Sequence, residues 1–202
     1  SGRPGPVVLV TPEDMLSQIS QVKIPILSPV IKSEMPSKGF SALIEKFKKS
    51  KKPLFIIGGS GWTKKSCSKF HHFINENNIP VATSFRRQDL FDHKNENFAG
   101  SFGTSVSPKL IDSTKNSDLI IVLGARLGEM TTQGYSIINP RDISKNIIHI
   151  HVDPNELNKV FNANVCINVG VNECCDKLEE LTLDNSDPVS YTHLRAHETI
   201  QH

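Results

Sequence analysis

Five apolar residues in a row, Leu119-Ile120-Ile121-Val122-Leu123, stop abruptly at Gly124. No other stretch constrains the fold as much. A run of that length, bounded by a turn residue, fits a strand buried on both faces, as in a parallel sheet. Similar runs precede glycine or proline elsewhere, as in Leu54-Phe55-Ile56-Ile57 before Gly58. Between them lie segments with helical spacing: Gly39 to Ser50, Trp62 to Asn78, Ser107 to Asn116 with Pro108 at the first helical position, and Asn172 to Leu181. The remaining expected strands are Ile79–Thr83, Asn146–Asp153 and Val165–Val169, with a helix from Pro154 or Asn155 to about Phe161. Such alternation predicts an α/β fold, a Rossmann-like parallel sheet with helices on both faces. Its ligands would lie beyond the carboxyl ends of the strands.

The chain of 202 residues, 37% hydrophobic, can bury the core of one such domain. With 23 Lys+Arg against 21 Asp+Glu, the net charge is +2, which is no nucleic-acid signature. The one dense basic stretch, Lys46 to Lys52, falls at the end of the first expected helix, where cations complement the helix dipole. No apolar stretch is long enough to span a membrane. Cys67, Cys166, Cys174 and Cys175 have neither Cys-x-x-Cys nor zinc spacing and are expected as free thiols in a reducing cytosol.

Several strand ends carry candidate chemistry, each with a plain alternative. Gly58-Gly59-Ser60-Gly61 joins a strand to a helix, where glycines admit a phosphate or ribose to backbone N–H groups; a tight turn alone would also want them. Gly124-Ala125-Arg126 offers two small residues and then a cation at the end of the central run. Arg86 and Arg87 follow the second expected strand and suit an anion, or they pair at the surface with Asp89, Asp92 or Glu96. Asp153 is placed either to receive a ribose or adenine or to cap the following helix. His149 and His151 share a strand face and could hold a metal with Asp153, or simply pack there. The polar loop Thr131 to Tyr135 could close over a ligand or be an ordinary crossover.

Five motifs in order carry a family resemblance: Gly2-Arg3-Pro4-Gly5-Pro6-Val7, Gly58-Gly59-Ser60-Gly61, Ile79-Pro80-Val81, Gly124-Ala125-Arg126, and Ile148 to Pro154. Together they resemble the acetolactate synthase-like group of thiamine-diphosphate-dependent enzymes. The resemblance implies that 1–15 is the terminal strand of a truncated pyrimidine-binding domain and 16–38 a linker. It implies that 39–183 is the central domain, with about six strands, and 184–188 the start of another linker. It implies a parent enzyme, a transferase or lyase that works on a 2-oxo acid or related small-molecule substrate with thiamine diphosphate and Mg²⁺. That parent would be a cytoplasmic homo-oligomer that meets neither nucleic acid nor membrane. In flavin-containing members the central domain holds FAD, others bind ADP there or nothing, and the resemblance places Gly58, Gly59, Ser84, Gly124, Ala125, Arg126 and Asp153 near that ligand. The chain departs from the flavin members after Gly-Ala-Arg, where Leu127-Gly128-Glu129-Met130 follows, and after Val169, where Gly170-Val171 follows. The activating Glu and the Mg²⁺ and diphosphate anchor of the family fall outside the span of the resemblance, so this piece carries no catalytic residue. A free-standing Rossmann-like nucleotide-binding or regulatory module is the rival reading, disfavoured by the segment Gly2 to Asp14. A sirtuin-like deacylase would need a catalytic His and a zinc Cys quartet that the pattern lacks.

Val189 to Thr199 continues no α/β pattern and resembles the conceptual translation of a transposase-type sequencing adaptor, with Ile200 to His202 as its continuation. On that reading 189–202 is an artefact, and His193 and His197 are not a metal pair. Re-sequencing the locus across codon 188 is expected to lose this string; a genomic copy of it would restore the tail to the protein.

Overall fold

The structure, a computed structural model, describes residues 5–29, 33–142 and 145–181. The expected linker at 184–188 and the adaptor-like tail lie outside the described residues. Six strands form one parallel sheet: β1 (Pro53–Ile57), β2 (Val81–Thr83), β3 (Phe98–Ser101), β4 (Leu119–Leu123), β5 (Asn146–His151) and β6 (Val165–Asn168), in the order β3-β2-β1-β4-β5-β6. This is the doubly wound arrangement, with its reversal of strand order between β1 and β4.

The apolar runs are continuous because each strand feeds two cores. In β1, Phe55 and Ile57 face one layer while Leu54 and Ile56 face the other. In β4, Leu119, Ile121 and Leu123 join the first layer and Ile120 and Val122 the second. Three helices cover the first layer: α2 (Ser37–Lys49), α3 (Lys64–Asn77) and α6 (Val171–Glu179). Phe55 sits among their aromatic side chains, its ring 5.4 Å from that of Phe70 and 6.1 Å from that of Phe73, both edge-on, the arrangement aromatic quadrupoles favour. The second layer is thinner. It is covered by α4 (Pro108–Asn116), by the buried Phe102 and Phe161, and by Ile137 and Ile138 from the segment that follows the short helix α5 (Glu129–Thr132). His149 and His151 alternate with Ile148 and Ile150 and so face this second side.

Three elements differ from expectation. β3 has no apolar run to announce it: Phe98-Ala99-Gly100-Ser101 is a short edge strand with Gly100 at φ +127°. The helix expected from Pro154 to about Phe161 is one 3₁₀ turn, Pro154–Glu156. Leu157 N–H bonds back to the Pro154 carbonyl, and Asn158 then takes a left-handed conformation at φ +58°, which ends the helix. Residues 5–12, where the resemblance places the terminal strand of another domain, form neither strand nor helix, and Val7 to Val10 are at least 84% exposed. A strand needs a neighbouring strand to pair with, and the described residues offer none there. A single helical turn, α1 (Glu13–Leu16), follows, and 17–29 has no regular element.

Asp118 closes the amino-terminal edge of the sheet. Its carboxylate accepts hydrogen bonds from the Ser50 hydroxyl and from the N–H groups of Lys51 (2.7 Å) and Lys52 (2.9 Å), clamping the turn between α2 and β1 to the start of β4. Partial burial pushes the Asp118 carboxyl up, but these donors together outweigh it and hold it below the usual carboxylate range. A depressed carboxyl contributes stability above its unfolded pKa and loses it as pH falls through the folded one. Asp118→Asn is therefore expected to lower the melting temperature at pH 7, by the equivalent of on the order of 1 kcal/mol because the site is solvent-screened. The gap to wild type should close below about pH 4; a gap independent of pH would show that the clamp is not electrostatic.

Candidate functional site

At the carboxyl edge of the sheet, the reversal between β1 and β4 opens a cleft of about 650 Å³, within the range of small-molecule sites. Its walls come from the loops after β1, β2, β4 and β5 and from Val171 at the start of α6. Of the nine residues expected from the sequence to meet a nucleotide or an anion, five line it: Gly59, Ser84, Arg87, Gly124 and Arg126. Gly58, Ala125, Arg86 and Asp153 do not.

The glycines make room for one another's loops. Gly59 (φ +72°) and Gly124 (φ +71°) both need left-handed backbone. A methyl group on Gly59 would run into the Gly124 carbonyl oxygen, and one on Gly124 would lie 2.5 Å from Val171 and 2.7 Å from the Gly58 carbonyl. Gly58 in turn lets the Ser84 side chain close over it. The Trp62 indole donates to the Gly58 carbonyl at 2.8 Å, and Asn172 donates to the Gly61 carbonyl at 2.8 Å, tying α6 to the same loop. The amino end of α3, a candidate phosphate seat, does not line the cleft. It is closed by a reciprocal cap in which Thr63 Oγ1 accepts from Ser66 N–H (3.1 Å) and Ser66 Oγ accepts from Thr63 N–H (2.9 Å).

The cations divide differently from the sequence pattern. Arg126 is exposed at the cleft and makes no ion pair or hydrogen bond with the described residues, Glu129 included. Arg87 reaches the cleft but also forms a two-pronged pair with Asp89 (3.0 and 3.1 Å). That pair is exposed and costs little to break. Arg86 sits at φ +62°, with its guanidinium 5.1 Å from the centre of the Phe85 ring, and does not line the cleft. Lys159 adds a cation that sequence reading missed, because 154–161 was assigned to a helix. It pairs with Glu156 (3.2 Å), and both line the cleft.

Asp153 caps the turn that follows it: its Oδ1 accepts from Asn155 N–H at 3.0 Å and from the Asn155 amide at 3.1 Å. His149 and His151, both buried, form part of the cleft wall with ring centres 5.9 Å apart. Burial holds the His149 imidazole below its usual pKa, opposed by its 3.0 Å hydrogen bond to the Ala125 carbonyl. A carbonyl only accepts, so Nε2 carries the proton of the neutral ring. His151 Nδ1 lies 3.0 Å from the Asp153 N–H. These contacts hold the histidines to the backbone, and among the described residues no group of three or more His, Cys, Asp or Glu side chains could hold a metal ion. The four cysteines are free thiols, and burial pushes Cys174 up to about 12. No helix among the described residues is long and apolar enough to cross a membrane.

Comparison with known proteins agrees with this fold. The family profile described as thiamine pyrophosphate enzyme, central domain, matches residues 40–178, well over half of the chain. The acetolactate synthase large subunit of Porphyra purpurea is 28% identical over 195 residues, covering 93% of this chain and 32% of that protein. Acetolactate synthase isozyme 3 large subunit of Escherichia coli is 25% identical over 194 residues, covering 92% of this chain and 33% of the relative. Acetolactate synthase 2, chloroplastic, of Nicotiana tabacum is 29% identical, with 92% of this chain and 29% of the relative covered. The chain thus spans about a third of the length of the curated relatives it matches.

Proposed function

We propose, because this chain belongs to the thiamine pyrophosphate enzymes as their central domain, that its parent is an acetolactate synthase-like carboligase or decarboxylase acting on a 2-oxo acid. Its own contribution is a nucleotide cleft and a rigid scaffold. The relatives' printed names support the reaction class. The exposed apolar residues between Val7 and Leu27 support a parent with further sheet to cover them. The expected setting of that parent is a cytoplasmic homo-oligomer.

Thiamine diphosphate, when bound, supplies the electron sink for cleaving or joining the carbon–carbon bond. Among the described residues no group of three or more His, Cys, Asp or Glu side chains could hold its Mg²⁺. They do fit a nucleotide such as ADP or FAD. The observation that carries this reading is Arg126, a cation with no protein partner among the described residues, at the edge of the cleft formed where the strand order reverses. In this reading Arg126 takes a phosphate, Arg87 can leave Asp89 to join it, and Gly59, Gly124 and Ser84 present backbone and hydroxyl groups beside it. Gly58 and Ala125 act from behind, by letting the lining residues pack. Arg86 and Asp153, anion and ribose candidates by sequence, stand outside the cleft and keep at most an indirect part.

Two measurements test the reading. Calorimetric titration with ADP and FAD should show binding that Arg126→Ala weakens roughly ten- to a hundredfold, the worth of one charge-assisted hydrogen bond. No binding to wild type would leave the domain a scaffold; equal binding by both would point to Arg87 or Lys159 instead. The 202-residue chain, supplied with thiamine diphosphate and Mg²⁺, should not turn over pyruvate; measurable carboligation or decarboxylation would mean that catalytic groups lie within it.

A further inference from the structure

Three polar side chains in the cleft wall keep a hydrogen-bonding atom without a partner among the described residues. Ser84, just after β2, Thr131 in α5 and His149 in β5 are each at most 6% exposed, and all three line the cleft. The Ser84 and Thr131 hydroxyls bond to none of the described residues. His149 spends Nε2 on the Ala125 carbonyl at 3.0 Å, which leaves a lone pair on Nδ1 of the neutral ring. Among the described residues no fully enclosed side-chain nitrogen or oxygen lacks a partner. The free Nδ1 and the two hydroxyls therefore open onto the cleft rather than into the core. The imidazole is tied to the residue next to Arg126, the phosphate-binding candidate. A phosphate oxygen only accepts hydrogen bonds. Arg126 and the two hydroxyls donate as they stand, whereas Nδ1 joins them only once it carries a proton.

We propose that His149 is a ligand for the phosphate group in this cleft and takes up a proton from solvent on Nδ1 as the phosphate binds, so that the ring donates to Ala125 from Nε2 and to the phosphate from Nδ1. The phosphate contact rests on the nucleotide reading of the cleft and deepens it. Before binding the ring is neutral at pH 7: burial holds its pKa below the usual value, the neighbouring His151 pushes the same way, and the Ala125 carbonyl and Glu156 oppose them. The other charged groups of the cleft are Arg126, Glu129, Arg87 paired with Asp89, and Lys159 paired with Glu156. An anion arriving beside the ring favours its charged form and raises its pKa. Affinity therefore climbs as pH falls through the pKa of the bound ring and levels off below that of the free ring. Above both, His149 adds no charge.

The test uses the 202-residue chain with two probes, ADP and inorganic pyrophosphate. Calorimetric titration in buffers of different ionisation enthalpy, between about pH 5.5 and 7.5, counts the protons taken up on binding. Wild type is expected to take up more protons per bound probe than His149→Gln, whose amide still donates to the Ala125 carbonyl but does not titrate. Protons taken up by the phosphate itself cancel in that difference. Over the same range the affinity of wild type should rise roughly tenfold more than that of the variant. A second readout needs no variant: the imidazole nitrogen resonances of His149 should titrate at least about one pH unit higher in wild type saturated with ADP than in the free chain. A His149 titration that ADP leaves in place, or equal proton uptake by wild type and His149→Gln, overturns the proposal. Weaker binding by His149→Gln at an unchanged proton count also overturns it and makes Nδ1 an acceptor for a donor on the ligand. Wild type that binds neither probe overturns the nucleotide reading itself, and the two failures are distinct because only the second leaves no complex to titrate.

Discussion

The close approach of two loops governs this structure. Gly59 and Gly124 lie back to back where the strand order reverses, each in left-handed backbone, and neither has room for even a methyl group. That contact lets the loops after β1 and β4 leave the sheet without steric conflict, and it sets the floor of the cleft. Trp62, Asn172 and Val171 then lock α3 and α6 against the same floor. The site is built on rigid strand ends, as a preorganised site needs to be. Its variable chemistry comes from the segments that follow the strands, at 84–87, 126–131 and 156–161.

The asymmetry of the two sheet faces follows from the same frame. Helices α2, α3 and α6 seal one face with aromatic packing, whereas the other is closed by one nine-residue helix, α4, and by irregular chain. A cleft opens most readily toward the face with fewer rigid helices to displace. The buried histidines face that side, each engaged by nearby backbone.

Much of this was legible in the sequence because a parallel sheet buried on both faces writes itself as uninterrupted apolar runs. β1 and β4 are located that way, and their loops contain Gly59, Gly124 and Arg126. β3 escaped because an edge strand of Phe, Ala, Gly and Ser has no such run. The turn after β5 was misread as a helix, since helical spacing at 154–161 says nothing of Asn158 entering left-handed backbone. That error hid Lys159 and Glu156, whose place in the cleft depends on the chain turning there. The doublet Arg86-Arg87 could not be divided by sequence alone: a single left-handed residue at Arg86 sends two adjacent cations to different surroundings.

The segment at 5–29 has a consequence for anyone who handles this chain. Val7 to Val10 and Ile24, Ile26 and Leu27 lie bare to water, and Val-Val-Leu-Val is β-prone, uncharged and free of proline. A second molecule can supply the strand pairing that the chain's own sheet does not, and so can a third. Kept in concentrated solution, the protein would then cohere through residues 5–29 while the folded domain behind them stayed intact, and turbidity would report on that segment rather than on unfolding.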